Sequence, residues 1–209
     1  YDDVDLSRSL TVSSDVYYCR IGESIYTRTD HRDTAIQEAA GAYGLGLETG
    51  ITLPFEQNGY LPTPANRRQR NELNPIAFPE WGWSTGDNVI TAIGQGEVLV
   101  TPLQLANAFA TFANGGIRLS PNVVSRVVER DGSVVRQFGP RVLSEVAIDP
   151  GFRWRVLEGL SGVTADQEGT AYQAFNSLAT GGAYFPLETY PVAGKTGTAE
   201  VRGKADTSL

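Results

Sequence analysis

Val4, Leu6, Leu10 and Val12 recur at a helical spacing, and a polar triplet, Ser13-Ser14-Asp15, interrupts them. Serine and aspartate favour caps and turns over helix interiors. The apolar run Val16-Tyr17-Tyr18-Cys19-Arg20-Ile21 follows. Residues 4–28 therefore read as a short helix, a polar break, and a second helix capped from that break. Asp33 to Tyr43 predicts another helix, closed by Gly41, Gly44 and Gly46. Residues 48–80 lose the periodicity and hold Pro54, Pro62, Pro64, Pro75 and Pro79, which predicts a long ordered loop. Trp81 and Trp83 share one face of an extended segment, either as a platform for a ligand or, more ordinarily, as anchors for that loop.

The next stretch is more regular. Thr101-Pro102-Leu103-Gln104 has the form of a helix start: a hydroxyl N-cap, proline at the first position and a glutamine to complete the capping box. Leu103, Leu105, Ala106, Phe109, Ala110 and Phe112 predict its buried face, and Asn114-Gly115-Gly116 its end. Two Val-rich runs, 123–128 and 134–138, flank Asp131-Gly132 and predict a hairpin. Asp149-Pro150 opens a helix to about Val163, with Trp154, Val156, Leu157 and Leu160 as its expected buried stripe. Glu168-Gly169-Thr170-Ala171 reads as a turn into a short segment, Tyr172 to Leu178, and Gly181-Gly182 as a loop. Tyr190, Val192 and Gly194 alternate like a strand. Helices and strands without βαβ alternation make the class α+β. The strand near Tyr190 needs antiparallel neighbours, and none is evident after residue 200, so the chain reads as a partial domain over 1–209, truncated at both ends.

Composition narrows the chemistry. The chain has 41% hydrophobic and 20% charged residues, ordinary for a globular core. A net charge of −7 argues against nucleic acid as a partner. Arg67, Arg68 and Arg70 are the nearest thing to a basic run, and read as a solvated or substrate-rim patch. One cysteine, Cys19, and one histidine, His31, leave no disulfide, no Cys/His metal cluster and no cofactor motif. Cys19 in its apolar run reads as a buried structural thiol. His31, in a polar run, reads as a surface or helix-start residue and not as the base of a serine triad. Gly94-Gln95-Gly96 lacks the Lys-Ser/Thr of a phosphate loop.

The chemistry concentrates in Pro191-Val192-Ala193-Gly194-Lys195-Thr196-Gly197-Thr198-Ala199-Glu200. It places an ammonium and two hydroxyls beside Gly197, where a missing side chain permits close approach by a ligand or a backbone. Lys-Thr-Gly alone is a weak signal. Taken with Ser13-Ser14-Asp15, and with Gly94-Gln95-Gly96 followed by Thr101-Pro102-Leu103-Gln104-Leu105-Ala106-Asn107, the order and separation resemble the penicillin-binding protein transpeptidases. Asp15, in the third place of the Ser-x-Asn element, is similar to the class B, elongation-type members. The resemblance covers most of the chain.

The resemblance implies a β-lactamase/transpeptidase-like fold, an antiparallel sheet with helices, incomplete in this chain. It implies serine acyl transfer on D-Ala-D-Ala stem peptides of peptidoglycan and acylation by β-lactams. Ser13 would relay a proton, Asp15 would hydrogen-bond the catalytic lysine or the substrate amide, and Lys195 would keep the site electropositive and bridge to Ser13. Thr196 and Thr198 would bind the terminal carboxylate, the Thr198 N–H would supply half an oxyanion hole, and Gly197 would let the substrate backbone pair alongside. The implied location is the extracytoplasmic face of a bacterial membrane, anchored by an N-terminal segment absent from this chain. Implied partners are the remainder of the same protein, completing the sheet, and wall-synthesis membrane proteins.

One element is missing. No Ser-x-x-Lys occurs in the chain, and in the family that motif, which carries the nucleophile, precedes Ser-x-Asn. The chain as written is therefore expected to be inactive by itself. Water as acceptor would make the protein a D,D-carboxypeptidase or β-lactamase. A non-catalytic β-lactam sensor or wall-synthesis scaffold is the reading from a different class.

Overall fold

The computed structural model describes residues 4–28, 34–176, 185–199 and 207–208. Helix α1 spans Leu6–Thr11 and is capped by Asp5, which accepts from the Arg8 N–H at 2.8 Å. Helix α2, Asp15–Thr27, starts straight after the polar break, as its sequence predicts. Then come α3 (Ala35–Ala42), α4 (Pro64–Leu73), α5 (Thr85–Ala92) and α6 (Pro102–Ala113). Strand β1 (Ile117–Ser120) pairs antiparallel with β4 (Arg141–Glu145). Between them in sequence lies the hairpin of β2 (Arg126–Val128) and β3 (Val134–Gln137). Helix α7 (Pro150–Ala165) and the short α8 (Tyr172–Asn176) follow, and β5 (Thr198–Ala199) pairs antiparallel with β6 (Thr207–Ser208). The class is α+β, and the chain divides into two compact units, Tyr1–Ser24 with Ile148–Leu209, and Ile25–Ala147.

The first unit is built on α1 against α7. The helices approach closely because Gly159 faces α1: a Cβ there would stand 2.5 Å from the Ser7 carbonyl oxygen. Hydroxyls stitch the seam. Thr11 Oγ1 donates to the Gly159 carbonyl at 3.0 Å, and Ser7 Oγ lies 2.9 Å from the Arg155 carbonyl and 2.7 Å from Glu158 Oε2. Leu160 and Val163 are the buried apolar side chains here, with Ser9, Thr11 and Thr164 buried beside them. Of the expected stripe on α7, Leu160 is buried, Val156 and Leu157 are half-buried and Trp154 is 67% exposed; burial centres on Gly159, Leu160, Val163 and Thr164. Close helix contact selects small and hydroxyl-bearing residues, which an apolar stripe does not reveal.

The second unit corrects the expected loop over 48–80. Thr63 and Asn66 form a capping box and Pro64 opens the ten-residue α4. Almost no apolar residue marks this helix; its caps and charge pairs hold it. Arg67 pairs with Asp87 at 2.7 Å and lies 4.8 Å from the Trp83 ring centre, while Arg70 pairs with Glu97 and lies 4.9 Å from the rings of Tyr60 and Phe78. The arginines are a structural ladder, and Trp83 is an anchor whose Nε1–H also donates to Asn88 Oδ1 at 3.1 Å.

The start of α6 is as its sequence predicts, with Thr101 and Gln104 in a reciprocal capping box. Its burial is not. Gln104 and Thr111 are its buried residues, because Gln104 Nε2 donates to the carbonyls of Leu47 and Asn58 at 2.7 and 2.8 Å. Leu105 and Phe109 are each 44% exposed. The hairpin forms around Asp131-Gly132, with the Glu129 N–H donating to the Ser133 carbonyl at 2.9 Å. The sequence pattern had not marked α5, β1 or β4. Cys19 is a free thiol, half-buried and not enclosed. His31, Asp33, Gly181-Gly182 and Glu200 lie outside the described residues.

Near Tyr190 the expected strand is largely replaced by irregular chain. Pro191 has no N–H to give a ladder, and the neighbouring backbone bonds go to α7: Gly194 N–H to the Leu160 carbonyl at 3.0 Å, and Thr164 Oγ1 to the Val192 carbonyl at 2.7 Å. Ladder pairing begins at Thr198, and its partner, β6, does lie after residue 200.

Candidate active site

The site begins with how α1 ends. The Ser14 N–H donates to the Ser9 carbonyl at 2.9 Å and the Ser13 N–H to the Leu10 carbonyl at 3.3 Å. These two bonds define a Schellman turn, whose pivot residue takes left-handed dihedrals and is usually glycine. Here the pivot is Ser13, with φ of 54°. A side chain in that conformation costs about 1–2 kcal/mol. Such strain gathers at functional positions, and this serine carries a hydroxyl that glycine would lack. The turn sets Ser13 at the corner between α1 and α2, and Asp15 is the first residue of α2, exposed, where an acid suits the helix N-terminus.

Lys195 reaches this corner from the far end of the chain. Its Nζ donates to Ser13 Oγ at 2.7 Å and to the Thr196 carbonyl at 2.9 Å. Its segment is pinned to α7 by the Gly194 and Val192 bonds, and α7 is pinned to α1 through Thr11. Three elements of the first unit thereby fix one nitrogen against one oxygen.

Burial pushes the Lys195 ammonium pKa below its ordinary value, and the negative charge of Asp15 only partly opposes this. Both groups that Nζ touches are neutral oxygens. Ser13 Oγ accepts from Nζ and keeps its own hydrogen to donate elsewhere, which is the form of a proton relay.

Ser13, Lys195 and Thr196 are brought together, and Asp15 acts on Lys195 through its charge. Gly197 is exposed, and among the described residues none beyond its chain neighbours comes within 4 Å of where a Cβ would sit. Thr198 opens β5 opposite Ser208 and is exposed. One contact escaped the sequence. Thr170, expected only in a turn, places Oγ1 at 2.7 Å from Thr196 Oγ1. No periodicity or motif marks a turn residue that meets an irregular segment.

Comparison with known proteins identifies the family. A family model described as the penicillin binding protein transpeptidase domain matches residues 1–208. The chain is 29% identical over 200 residues to the peptidoglycan D,D-transpeptidase MrdA of Escherichia coli K12, covering 96% of this chain and 28% of that protein. It therefore spans little more than a quarter of the length of that relative. Among solved structures, PBP2 of Pseudomonas aeruginosa superposes with a TM-score of 0.71 at 27% identity, over 99% of this chain and 40% of that one. A chain of a peptidoglycan synthase complex that couples polymerization and crosslinking superposes at 0.69 with 28% identity, over 96% of this chain and 29% of that one. The fold is that of the β-lactamase/transpeptidase class. The chain belongs to the penicillin-binding protein transpeptidase domain family, on the side of its class B members.

Proposed function

We propose that this chain carries the Ser-x-Asp and Lys-Thr-Gly halves of a serine D,D-transpeptidase site that cross-links peptidoglycan stem peptides and is acylated by β-lactams. The observation that carries the reading is the Lys195 Nζ to Ser13 Oγ bond of 2.7 Å, between two motifs 182 positions apart. In this reading Ser13 passes a proton to the leaving amine, Lys195 sets the field and Asp15 tunes that lysine. Thr196 and Thr198 hold the substrate carboxylate, and the open face at Gly197 admits the peptide backbone. The nucleophile comes from a Ser-x-x-Lys element outside residues 1–209. Exposed apolar side chains on α6 and α7, among them Phe109 at 44% and Phe152 at 66%, support further chain of the same protein covering them.

The domain works at the extracytoplasmic face of the bacterial membrane, and its similarity to a synthase-complex chain supports wall-synthesis proteins as partners. No described helix is long and apolar enough to cross a membrane.

The test is fluorescent penicillin labelling of the full-length protein, with the modified residue located by mass spectrometry. The expected result is one acylated serine outside residues 1–209, and none when residues 1–209 are offered alone. No label on the full-length protein favours the wall-synthesis scaffold and sinks the enzyme reading. Incubation with a stem peptide and an acceptor amine then separates cross-linking from hydrolysis; hydrolysis alone would make the protein a carboxypeptidase.

A further inference from the structure

We propose that Thr170 is a positioning residue for the carboxylate-binding hydroxyl of Thr196, resting on the role given to Thr196 above. Thr170 sits in the turn that leaves α7. That turn is fixed at every backbone position around it. The Gly169 N–H donates to the Asp166 carbonyl at 2.8 Å, the Ala171 N–H to the Val163 carbonyl at 2.9 Å, and the Tyr172 N–H to the Gly169 carbonyl at 3.0 Å. Gly169 lies so close to α7 that a Cβ would stand 2.6 Å from the Val163 carbonyl oxygen. Arg8 of α1 adds ion pairs to Asp166, at 3.6 Å, and to Glu168. The Thr170 N–H itself donates to the Thr11 carbonyl at 3.3 Å.

From this rigid base the Thr170 side chain reaches Thr196 at 2.7 Å. A hydroxyl has one hydrogen to give and two lone pairs to receive with. When Thr170 donates, Thr196 Oγ1 is satisfied as an acceptor and its own hydrogen remains for an anion. The Thr196 carbonyl is held at the same time by Lys195 Nζ at 2.9 Å. Thr196 is therefore fixed at its side chain by Thr170 and at its backbone by Lys195. The contacts close a ring: Thr11, Thr170, Thr196, Lys195 and Ser13, the last only two residues beyond the first. Thr170 ties the carboxylate clamp to the turn that presents Ser13. Without the Thr170 hydroxyl, Thr196 Oγ1 must find another donor or rotate.

The experiment compares wild type, Thr170→Val and Thr170→Ser in the full-length protein, using a penicillin and its methyl ester. Acylation is followed against concentration, so that the half-saturation constant and the limiting rate constant separate. Loss of one hydrogen bond aimed at an ion predicts that Thr170→Val raises the half-saturation constant for the free acid about tenfold, with the limiting rate within about twofold. Thr170→Ser restores it. The ester, having no carboxylate, shows no difference between wild type and Thr170→Val. An equal loss for acid and ester, a loss confined to the limiting rate, or no rescue by serine overturns the role of Thr170. Wild type that takes neither ligand overturns the transpeptidase reading beneath it, whereas labelled wild type beside an unaffected Thr170→Val overturns only this inference. Thermal unfolding curves of the variants, expected to overlay that of wild type, show that the effect is not loss of fold.

Discussion

Lys195 in the first unit and Arg67 in the second are both largely sheltered cations, and they are treated in opposite ways. Arg67 meets the Asp87 carboxylate at 2.7 Å, the Gly82 carbonyl at 3.1 Å and the face of Trp83. Its charge is neutralised where it stands. Lys195 meets only a hydroxyl and a carbonyl, and among the described residues it makes no ion pair. The exposed Asp15 influences it only through space. A buried charge with a carboxylate partner holds structure together; one with neutral partners keeps its field for whatever enters the site. The second unit thus uses cations as struts, whereas under the proposed function the first uses one as a chemical group.

Replacing each cation by a neutral side chain of similar length should separate these uses most strongly. Lys195→Met in the full-length protein is expected to slow penicillin acylation by about 10²–10³-fold, the usual scale for one electrostatic group at the reacting centre. Its urea midpoint near neutral pH should not fall below wild type, since the variant escapes the cost of sheltering the ammonium. Arg67→Met should do the reverse. It leaves Asp87 to its Ser84 hydrogen bonds, which costs about 1–3 kcal/mol, and leaves acylation of the folded protein nearly intact. Lys195→Met labelled at the wild-type rate, or Arg67→Met with unchanged stability, would break the contrast.

The two groups should also respond at opposite ends of the pH scale. The folded-state pKa of Lys195 lies below 10.5, so the unfolded chain binds the proton more tightly. The cost of burying the ammonium is full below the folded pKa, and it fades as pH rises from there to 10.5, so stability from this group increases with pH. For Asp87, burial pushes the carboxyl up, but hydrogen bonds from Ser84 and Arg67 outweigh it and hold the pKa below 3.8. Its contribution is full above 3.8 and is lost as pH falls through the folded value. Urea midpoints across pH, with Lys195→Met and Asp87→Asn each subtracted from wild type, should give a difference that fades only on the alkaline side for the first and only on the acid side for the second. Exchanged sides, or flat differences, would contradict the assignment of strut and chemical group.

These contrasts were unevenly legible in the sequence. Local signals were clear: the capping box at Thr101 and Gln104, the Asp149-Pro150 start of α7 and the Asp131-Gly132 turn each depend on neighbours within four residues. The pairing of Ser13 with Lys195 was legible only as a resemblance, since no local rule joins positions so far apart. Helix α4 was hidden because its stability comes from caps and arginine pairs instead of an apolar stripe. The α1–α7 seam was hidden because Ser9, Thr11 and Thr164 bury hydroxyls against carbonyls, so polar letters occupy core positions. Thr170 was hidden for a related reason: its contact is a property of two irregular segments.

Two glycines sharpen the contrast at the smallest scale. Gly159 on α7 has ordinary helical dihedrals but no room, since a Cβ would meet the Ser7 carbonyl at 2.5 Å and Leu10 Cβ at 2.9 Å. Gly132 in the hairpin has room, with nothing within 4 Å, but its φ is +88°. In an unpacked helix, Gly to Ala stabilises by about 1 kcal/mol, so contact alone decides the sign at Gly159. Gly159→Ala is expected to destabilise the full-length protein by about 1–3 kcal/mol, the range for overpacking. It should also slow acylation, because α1 must move and α1 ends in the turn that holds Ser13. Gly132→Ala should cost about 1 kcal/mol through its dihedral and leave acylation unchanged. Urea denaturation with parallel penicillin labelling reads both. A stabilised Gly159→Ala, or one that labels at the wild-type rate, would mean that the seam does not carry the geometry of the site.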